Sequence, residues 1–143
     1  MNNSLTEEQV KVLNMSQSVI NEVRKVIIGK DEIIIKVLLS ILAGGHILIE
    51  DIPGVGKTTL AVALSKALSL DYKRLQFTTD VLPTDVTGFT ILNKETHKFE
   101  YKQGAALTNL FLADEINRTS SKTQSALLEV MEEGKVTVDG ITH

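Results

Sequence analysis

The 143-residue sequence predicts a parallel α/β fold, on three observations. Short apolar runs bounded by turn residues alternate with segments in which apolar residues recur at helical spacing. A glycine-rich loop joins one of these runs to the helical segment that follows it. The composition, with 43% hydrophobic and 23% charged residues, is ordinary for one packed domain. This composition excludes a disordered chain, a collagen and a disulfide scaffold.

Charge and residue usage exclude further classes of protein. There is no cysteine, so thiolate metal sites are excluded, and the three histidines have no ligand-like spacing. The net charge of −3 gives no broad attraction to nucleic acid. The most apolar stretch, 33–49, is too interrupted by polar residues and glycines to span a membrane. We therefore expect a cytoplasmic protein with no membrane segment.

The amino-terminal part of the sequence predicts two helices. Ser4 and Glu7 are spaced as a capping box for a helix over 6–27, whose apolar face would contain Val12, Val19, Val23 and Val26. A second, more apolar helix over 31–43 ends at two glycines.

The rest of the sequence alternates between strands and helices. A buried strand is predicted at 46–50, a loop at 51–56, a helix at 57–68 and a second strand at 72–77. There follow an ordered loop at 78–89, a hairpin of 89–92 with 98–101, a third buried strand at 110–113, a helix at 122–133 and a second hairpin at 136–142. Such alternation predicts a parallel sheet with right-handed crossovers.

The run from Asp51 to Thr58, DIPGVGKT, is typical of a phosphate-binding loop, because it lies between an apolar run and a helix. Glycines let backbone N–H groups close around phosphate oxygens, a lysine reaches the β and γ phosphates, and a threonine hydroxyl can bind Mg²⁺. Gly54, Gly56, Lys57 and Thr58 supply these groups. The usual motif has another glycine at the position of Asp51. A turn that only caps a helix is the alternative interpretation.

Two adjacent acids, Asp114 and Glu115, directly follow the apolar run at 110–113. The carboxyl end of a parallel strand is where ligands bind in open α/β folds. Successive strand residues point in opposite directions, so we expect different roles. Asp114 would hold Mg²⁺ mainly through its waters, and Glu115 would polarise an attacking water. A solvated strand end with an acidic helix cap is the alternative.

These motifs and their surroundings resemble the MoxR family of AAA+ ATPases over residues 20–143. In that family an acid at the position of Asp51 is normal. The resemblance rests on five runs, of which the last two are very specific: IIG at 27–29, EDIPGVGKTTL at 50–60, QFTTDVLPTDVTG at 76–88, LADEINR at 112–118 and KTQSALLE at 122–129.

The resemblance implies a P-loop NTPase fold of the AAA+ type, which is a three-layer α/β sandwich with a parallel central sheet and β-hairpin insertions. It implies an ATPase that uses ATP and Mg²⁺ and assembles into a homo-oligomeric ring, a hexamer. Such a ring would act on a client protein as a chaperone-like remodeller or activator of protein complexes. Nucleic acid is not expected among its partners.

Carried over by position, the resemblance gives each site residue a role. Glu115 and Lys57 are the expected catalytic residues, and Thr58 and Asp114 are expected to hold the metal. Two groups of residues are expected to contact the nucleotide, one on the adenine side and one in the loop: Ile27, Ile28 and Gly29; Pro53, Gly54, Val55, Gly56, Lys57, Thr58 and Thr59. For the adenine-side residues, plain packing of a helix end is the alternative.

Other polar and apolar residues receive weaker assignments from the resemblance. Gln76 or Thr78 would lie near the catalytic acid, and Arg118 would lie near a subunit interface, with a local salt bridge as its alternative. The first hairpin carries four alternating apolar residues that would either staple it to the body or contact a substrate: Phe89, Ile91, Phe99 and Tyr101.

We expect residues 1–29 to form an amino-terminal helix and adenine-side segment, and residues 30–143 to form a partial AAA+ nucleotide-binding domain. The sequence stops within the second hairpin, and only three of five expected parallel strands can be found. The family's polar sensor, arginine finger and helical lid would follow. Because an arginine finger contributes about 10³–10⁵ in rate, this chain alone is expected to bind nucleotide weakly and to hydrolyse it very slowly.

Two alternatives to an ATP-hydrolysing remodeller remain from the sequence. A nucleotide-binding module without significant turnover would keep the loop and the metal acid but not need Glu115. A DNA-handling AAA+ relative would share the hairpins, although the net charge of −3 argues against it.

Overall fold

The computed structural model describes residues 5–50 and 54–143, which form two compact units that divide between Leu70 and Asp71. The first unit is helical, and the second combines a parallel strand pair, two hairpins and helices. This mixed α/β structure with a parallel sheet confirms the fold class predicted from the sequence.

The first unit contains three helices: α1 Glu7–Arg24, α2 Asp31–Leu42 and α3 Lys57–Ala67. Their buried apolar residues form one cluster, which consists of Ile20, Val23, Ile27, Ile34, Val37, Leu38, Leu60 and Leu64. Two of the four valines that recur at helical spacing, Val12 and Val26, are more than half exposed.

The capping box of α1 lies two residues later than predicted. The Thr6 hydroxyl accepts a hydrogen bond from the Gln9 N–H, and the Gln9 side chain accepts one from the Thr6 N–H at 2.9 Å. Thr6 and Gln9 have the same spacing as Ser4 and Glu7, so the sequence pattern alone could not choose between the two pairs. Ser4 lies outside the described residues.

The strand predicted at 46–50 is wrong, because residues 45–50 form no regular structure. Leu48 is 77% exposed, and Ile47 is exposed as well. A strand becomes stable when a neighbouring strand satisfies its N–H and C=O groups. The described residues of the first unit provide no such neighbour, so an apolar run was not sufficient here.

The second unit is organised around two parallel strands, β1 Tyr72–Gln76 and β4 Leu110–Asp114. Their register runs from Tyr72 opposite Leu110 to Gln76 opposite Asp114. One face of this pair packs on a cluster that includes Leu75, Phe111, Ala113, Phe77, Val86 and Leu127. Three parallel strands were expected from the sequence, and the described residues contain two.

Two α-helices and a short 3₁₀ turn complete the body of the second unit: α4 Pro83–Thr87, the turn Ile116–Arg118 and α5 Ser121–Glu133. The prediction of an ordered loop over 78–89 missed α4. That helix begins where Pro83 presets its first turn and the Asp85 carboxylate accepts a hydrogen bond from the Leu82 N–H at 2.8 Å. The predicted helix over 122–133 is confirmed by α5, which buries Leu127.

Both predicted hairpins are confirmed, as β2 Gly88–Asn93 with β3 Lys98–Gln103, and β5 Thr137–Val138 with β6 Ile141–Thr142. The root of the first hairpin is tightly packed. A Cβ atom on Gly88 would lie 2.4 Å from the Lys102 carbonyl oxygen, and one on Gly104 would lie 2.3 Å from the Val86 carbonyl oxygen. Neither position has room for a side chain.

The four apolar residues of the first hairpin divide between its faces. Phe89 pairs with Lys102 and Ile91 pairs with Glu100, so the two apolar residues share one face, and Phe99 and Tyr101 lie on the other. Tyr101 fastens the hairpin, because its hydroxyl donates to the Thr87 carbonyl and its ring stacks on His143 at 3.7 Å. Phe89, Ile91 and Phe99 are exposed. Of the four residues, Tyr101 is therefore the one that holds the hairpin to the body of the unit.

Candidate functional site

The described part of the glycine-rich loop, 54–56, leads directly into α3. Gly54 and Gly56 have φ angles of 86° and 90°, in the region that glycine adopts without strain. Gly56 is the N-cap of α3 and has no side chain to cover the first N–H groups of the helix. The helix dipole and these N–H groups together favour a bound anion at this end.

A cleft of about 420 Å³ lies beside this loop, within the first unit. Its volume is in the range of roughly 300–1,000 Å³ that is usual for small-molecule sites. Most of the described residues that line it are apolar or glycine: Val26, Ile27, Ile28, Lys30, Gly54, Val55, Gly56 and Thr59. A smaller adjoining pocket is lined by Lys57 together with Ile27, Val55 and Gly56. The cleft is therefore lined by apolar side chains and by the glycines that precede the N-terminus of α3.

The turn between α1 and α2 forms the apolar side of this cleft. Ile28 is 85% exposed at the cleft, whereas Ile27 is buried in the core, and Gly29 has a φ of 73° that closes the turn. Two hydrogen bonds from the Arg24 guanidinium to the Asp31 carboxylate, at 2.9 and 3.0 Å, join the two ends of the turn. Such a bidentate pair fixes orientation as well as distance.

Lys30 connects this turn to the loop and was missed by the sequence reasoning. Its ammonium donates a hydrogen bond to the Val55 carbonyl oxygen at 3.1 Å. It lines both pockets and is partly buried. The available signal was its position, between the glycine of the turn and the first residue of α2.

The two acids occupy the carboxyl end of β4, in the second unit. Asp114 is the last residue of the strand, and Glu115 has a φ of 59°, which is left-handed. The expectation that strand alternation would aim the acids in opposite directions is therefore wrong for Glu115, because a turn and not the strand sets its direction. A non-glycine residue in this region is uncommon and is found repeatedly at functional sites.

Arg74 holds Asp114 from the neighbouring strand, and the sequence reasoning missed it as well. Its Nε and one Nη donate to the same carboxylate oxygen, Oδ2, at 3.2 and 2.7 Å. The Asp114 side chain is 23% exposed, so this pair is only partly screened by water. Gln76 lies opposite Asp114 in the register, on the strand face that Arg74 shares, whereas Thr78 lies beyond the end of β1.

Glu115 and Arg118 form a more open pair. Their closest atoms, Oε2 and an Nη, are 3.8 Å apart, and both side chains are about half exposed. Exposed pairs of this kind contribute at most about 1 kcal/mol. This is the local salt bridge that was the alternative for Arg118, and its role at an interface stays a prediction.

Tyr72 lies on the strand face of Arg74. Its hydroxyl is buried, and within the part of the chain that the structure describes it has no hydrogen-bond partner. Burial raises the pKa of the Tyr72 phenol, the Arg74 guanidinium opposes this rise, and the Asp114 carboxylate adds to it.

The predicted metal residues suit Mg²⁺ in their chemistry. Mg²⁺ prefers oxygen ligands and keeps several of its waters, so one hydroxyl and one carboxylate are sufficient protein ligands beside phosphate oxygens. Thr58 offers such a hydroxyl in the first turn of α3, and Asp114 offers the carboxylate. Over residues 5–50 and 54–143 there is no group of three or more His, Cys, Asp or Glu side chains that could hold a metal without a ligand.

The structure thus brings together most of the predicted nucleotide residues. Within the first unit, one cleft and its adjoining pocket are lined by Ile27, Ile28, Gly54, Val55, Gly56, Lys57 and Thr59. Gly29 lies in the adjacent turn, Thr58 lies in the first turn of α3, and Pro53 lies outside the described residues. Asp114 and Glu115 belong to the second unit. None of the helices described is long and apolar enough to cross a membrane.

Comparison with known proteins identifies relatives of this chain. Residues 46–143 match the family model described as the ATPase family associated with various cellular activities. A Bacillus subtilis protein, the uncharacterized protein YeaC, is 57% identical over 123 residues, which are 86% of this chain and 38% of that protein. The chaperone MoxR1 of Mycobacterium tuberculosis is 40% identical over 121 residues, which are 85% of this chain and 32% of that protein.

A solved structure supports the same relationship. The crystal structure of a candidate ATPase from Cytophaga hutchinsonii matches with a TM-score of 0.78 and 41% sequence identity. The match covers 96% of this chain and 44% of that one. The chain therefore spans less than half the length of each of these relatives.

Proposed function

Because this chain belongs to the MoxR family of AAA+ ATPases, we propose that its protein binds ATP with Mg²⁺, hydrolyses it and uses the energy to remodel or activate protein complexes. The observation that carries the proposal is the cleft of the first unit. An apolar turn and a glycine loop that opens onto a helix N-terminus meet there, which is the combination a purine base and its phosphates require.

In the proposed site the backbone does most of the binding. The N–H groups of Gly56 and of the first residues of α3 hold phosphate oxygens, and Lys57 adds a charge-assisted contact to the β and γ phosphates. The exposed Ile28 side chain covers one face of the base, while Ile27 anchors the turn in the core. The Thr58 hydroxyl and the Asp114 carboxylate would hold Mg²⁺, which neutralises charge on the phosphates when it is bound.

Glu115 supplies the proposed chemistry. Its carboxylate orients a water and accepts a proton from it as the water oxygen attacks the γ phosphorus. The bond between that phosphorus and the β–γ bridging oxygen breaks, and the electron pair leaves with ADP. The side chain is 46% exposed, so water can reach it.

The oligomer and the partners are proposed from the family. We propose a homo-oligomeric ring, a hexamer, in the cytoplasm, with a client protein as the partner. The name chaperone given to the Mycobacterium tuberculosis relative supports a protein client over a nucleic acid. The net charge of −3 is consistent with this choice.

A second candidate, nucleotide binding without significant turnover, is favoured by one observation. Both acids contact arginines of their own unit, Asp114 at 2.7 Å and Glu115 at 3.8 Å. While these contacts last, the acids are not fully available to a metal or a water. Hydrolysis would then depend on a rearrangement that the binding of ATP has to bring about.

The replacement Glu115→Gln separates the two candidates, because it keeps the size of the side chain and removes the base. In the whole protein we expect the ATP dissociation constant to stay within about twofold and phosphate release to fall by about 10²–10⁴. Glu129→Gln, an exposed acid on α5, is the control and should change neither.

Three other outcomes would change the assignment. If the unsubstituted whole protein bound ATP but released no phosphate, even at concentrations that promote rings, nucleotide binding without significant turnover would be favoured. A parent that binds no ATP would contradict the proposal entirely. Loss of binding and turnover together in Glu115→Gln would make Glu115 a structural residue.

A further inference from the structure

We propose that Lys30 is a positioning residue of the phosphate loop, which sets the direction of the peptide group between Val55 and Gly56. This inference rests on the proposed nucleotide site and assigns a role to a residue outside its motifs. It starts from the hydrogen bond of 3.1 Å between the Lys30 ammonium and the Val55 carbonyl oxygen.

The Val55 carbonyl and the Gly56 N–H belong to the same peptide unit. In a planar trans peptide these two groups point in opposite directions. When Lys30 holds the carbonyl on its own side, the Gly56 N–H is directed away from Lys30. That N–H belongs to the N-cap residue of α3, where an anion would be bound.

Gly56 by itself leaves this direction open. Rotation of the peptide unit changes ψ of Val55 and φ of Gly56, and glycine accepts both signs of φ at similar cost. A Cβ on Gly56 would contact nothing within 4 Å, so the space beside its Cα is open. The Lys30 ammonium, a donor on the carbonyl side, favours one of the two orientations.

Lys30 is itself held in place. It is the N-cap residue of α2, and the next residue, Asp31, is joined to Arg24 by two hydrogen bonds. Its side chain is partly buried between Ile27 and Val55 along the cleft. The turn that offers apolar contacts to a base and the loop that offers N–H groups to phosphates are thus connected through one ammonium group.

The test compares Lys30→Met, which keeps the length of the side chain without the donor, with Lys30→Arg, which keeps a donor. Crystal structures of the ligand-free parent and of Lys30→Met would report the orientation of the Val55–Gly56 peptide. Titrations with ADP and with inorganic tripolyphosphate, which has no base, would report binding. Lys36→Met on the exposed face of α2, where Lys36 pairs with Glu32, is the control.

We expect the peptide to be reversed or mixed in Lys30→Met. ADP and tripolyphosphate should both bind about 10-fold more weakly, because one N–H bond to a charged oxygen is lost in each case. Lys30→Arg should recover most of the affinity, and Lys36→Met should match the parent.

Three results would overturn the proposal. The first is an unchanged peptide in Lys30→Met, which would assign any weaker binding to a direct contact between Lys30 and phosphate. The second is a reversed peptide with unchanged affinities, and the third is weaker binding of ADP alone. If the parent bound neither ligand, the proposed ATPase function would fail, whereas the ligand-free structures would still decide whether Lys30 directs the peptide.

Discussion

The two units of the chain carry complementary halves of the proposed chemistry and build them in different ways. The first unit presents backbone groups: two glycines with positive φ and the open N-terminus of a helix. The second presents side chains: two acids at the end of a strand, each beside an arginine. A backbone site depends on torsion angles, and a side-chain site depends on charge balance. Substitutions should therefore disturb the two halves through different physical quantities.

The largest expected effect on ATP binding concerns the first unit, where one side chain, Lys57, supplements the backbone groups. Lys57→Ala should weaken ATP binding about 100-fold, because it removes a charge-assisted hydrogen bond to the phosphates. Titration with a fluorescent ATP analogue would measure this. Lys66→Ala, at the exposed end of the same helix, is the matched control and should bind as the parent does. Equal binding by Lys57→Ala and the parent would reject the assignment of the loop.

The side-chain half should respond through the metal. Asp114→Asn keeps an oxygen that Arg74 can contact but removes the negative charge. We expect the gain in ATP affinity on adding Mg²⁺ to fall by about 10–100-fold, while metal-free binding persists. Titrations with and without Mg²⁺ measure the two quantities, with the exposed Asp80→Asn as control. An undiminished gain from Mg²⁺ would mean that another group holds the metal.

Replacing a glycine of positive φ by alanine tests the two units separately, because each unit contains such a glycine in open space. Gly56 and Gly134 both have positive φ, 90° and 64°, and a Cβ on either would contact nothing within 4 Å. Replacement by alanine should cost each site about 1–2 kcal/mol of backbone strain. Gly56→Ala should weaken nucleotide binding about 5–10-fold, whereas Gly134→Ala should lower thermal stability only. Similar binding losses in both variants would show that the loop is not special.

The smallest expected effect concerns Tyr72. Its buried hydroxyl lacks a partner among the described residues, so Tyr72→Phe should stabilise the fold by about 1 kcal/mol in urea unfolding. Folding raises the pKa of Tyr72 above its ordinary value of 10. Ionisation of the phenol therefore leaves the stability of the fold unchanged below pH 10 and lowers it as the pH rises through the raised pKa. The Phe variant should lack this alkaline loss. A destabilised Phe variant would indicate that the hydroxyl has a partner.

The sequence predictions succeeded where an element depends on interactions between residues close together in the chain, and they failed where it depends on distant residues. Helices α2, α3 and α5 were predicted to within one residue at each end, because apolar spacing and terminal glycines are local signals. The strand at 46–50 was predicted wrongly, because strand formation depends on a partner elsewhere in the chain. The five sequence segments that resemble the MoxR family identified the loop and the two acids without any knowledge of strand pairing.

The two residues that the sequence reasoning missed show the same limit. Lys30 contacts a carbonyl 25 residues away, and Arg74 contacts a carboxylate 40 residues away. Neither residue belongs to a motif whose spacing requires a cation. Only the register of β1 with β4 and the approach of the α1–α2 turn to the loop reveal what these side chains hold.

The first hairpin is held tightly at its base, where Gly88 and Gly104 are packed, and its tip is exposed to solvent. At the root, Gly88 and Gly104 leave no space for a side chain, and Tyr101 is hydrogen-bonded to the Thr87 carbonyl and stacked on His143. At the free end the side chains of Leu92 and Phe99 are 52% and 77% exposed. The amplitude of bending in such an arm increases with distance from its clamp. Amide hydrogens should therefore exchange fastest at the tip and progressively more slowly toward the root, and a load on the tip would be transmitted to α4.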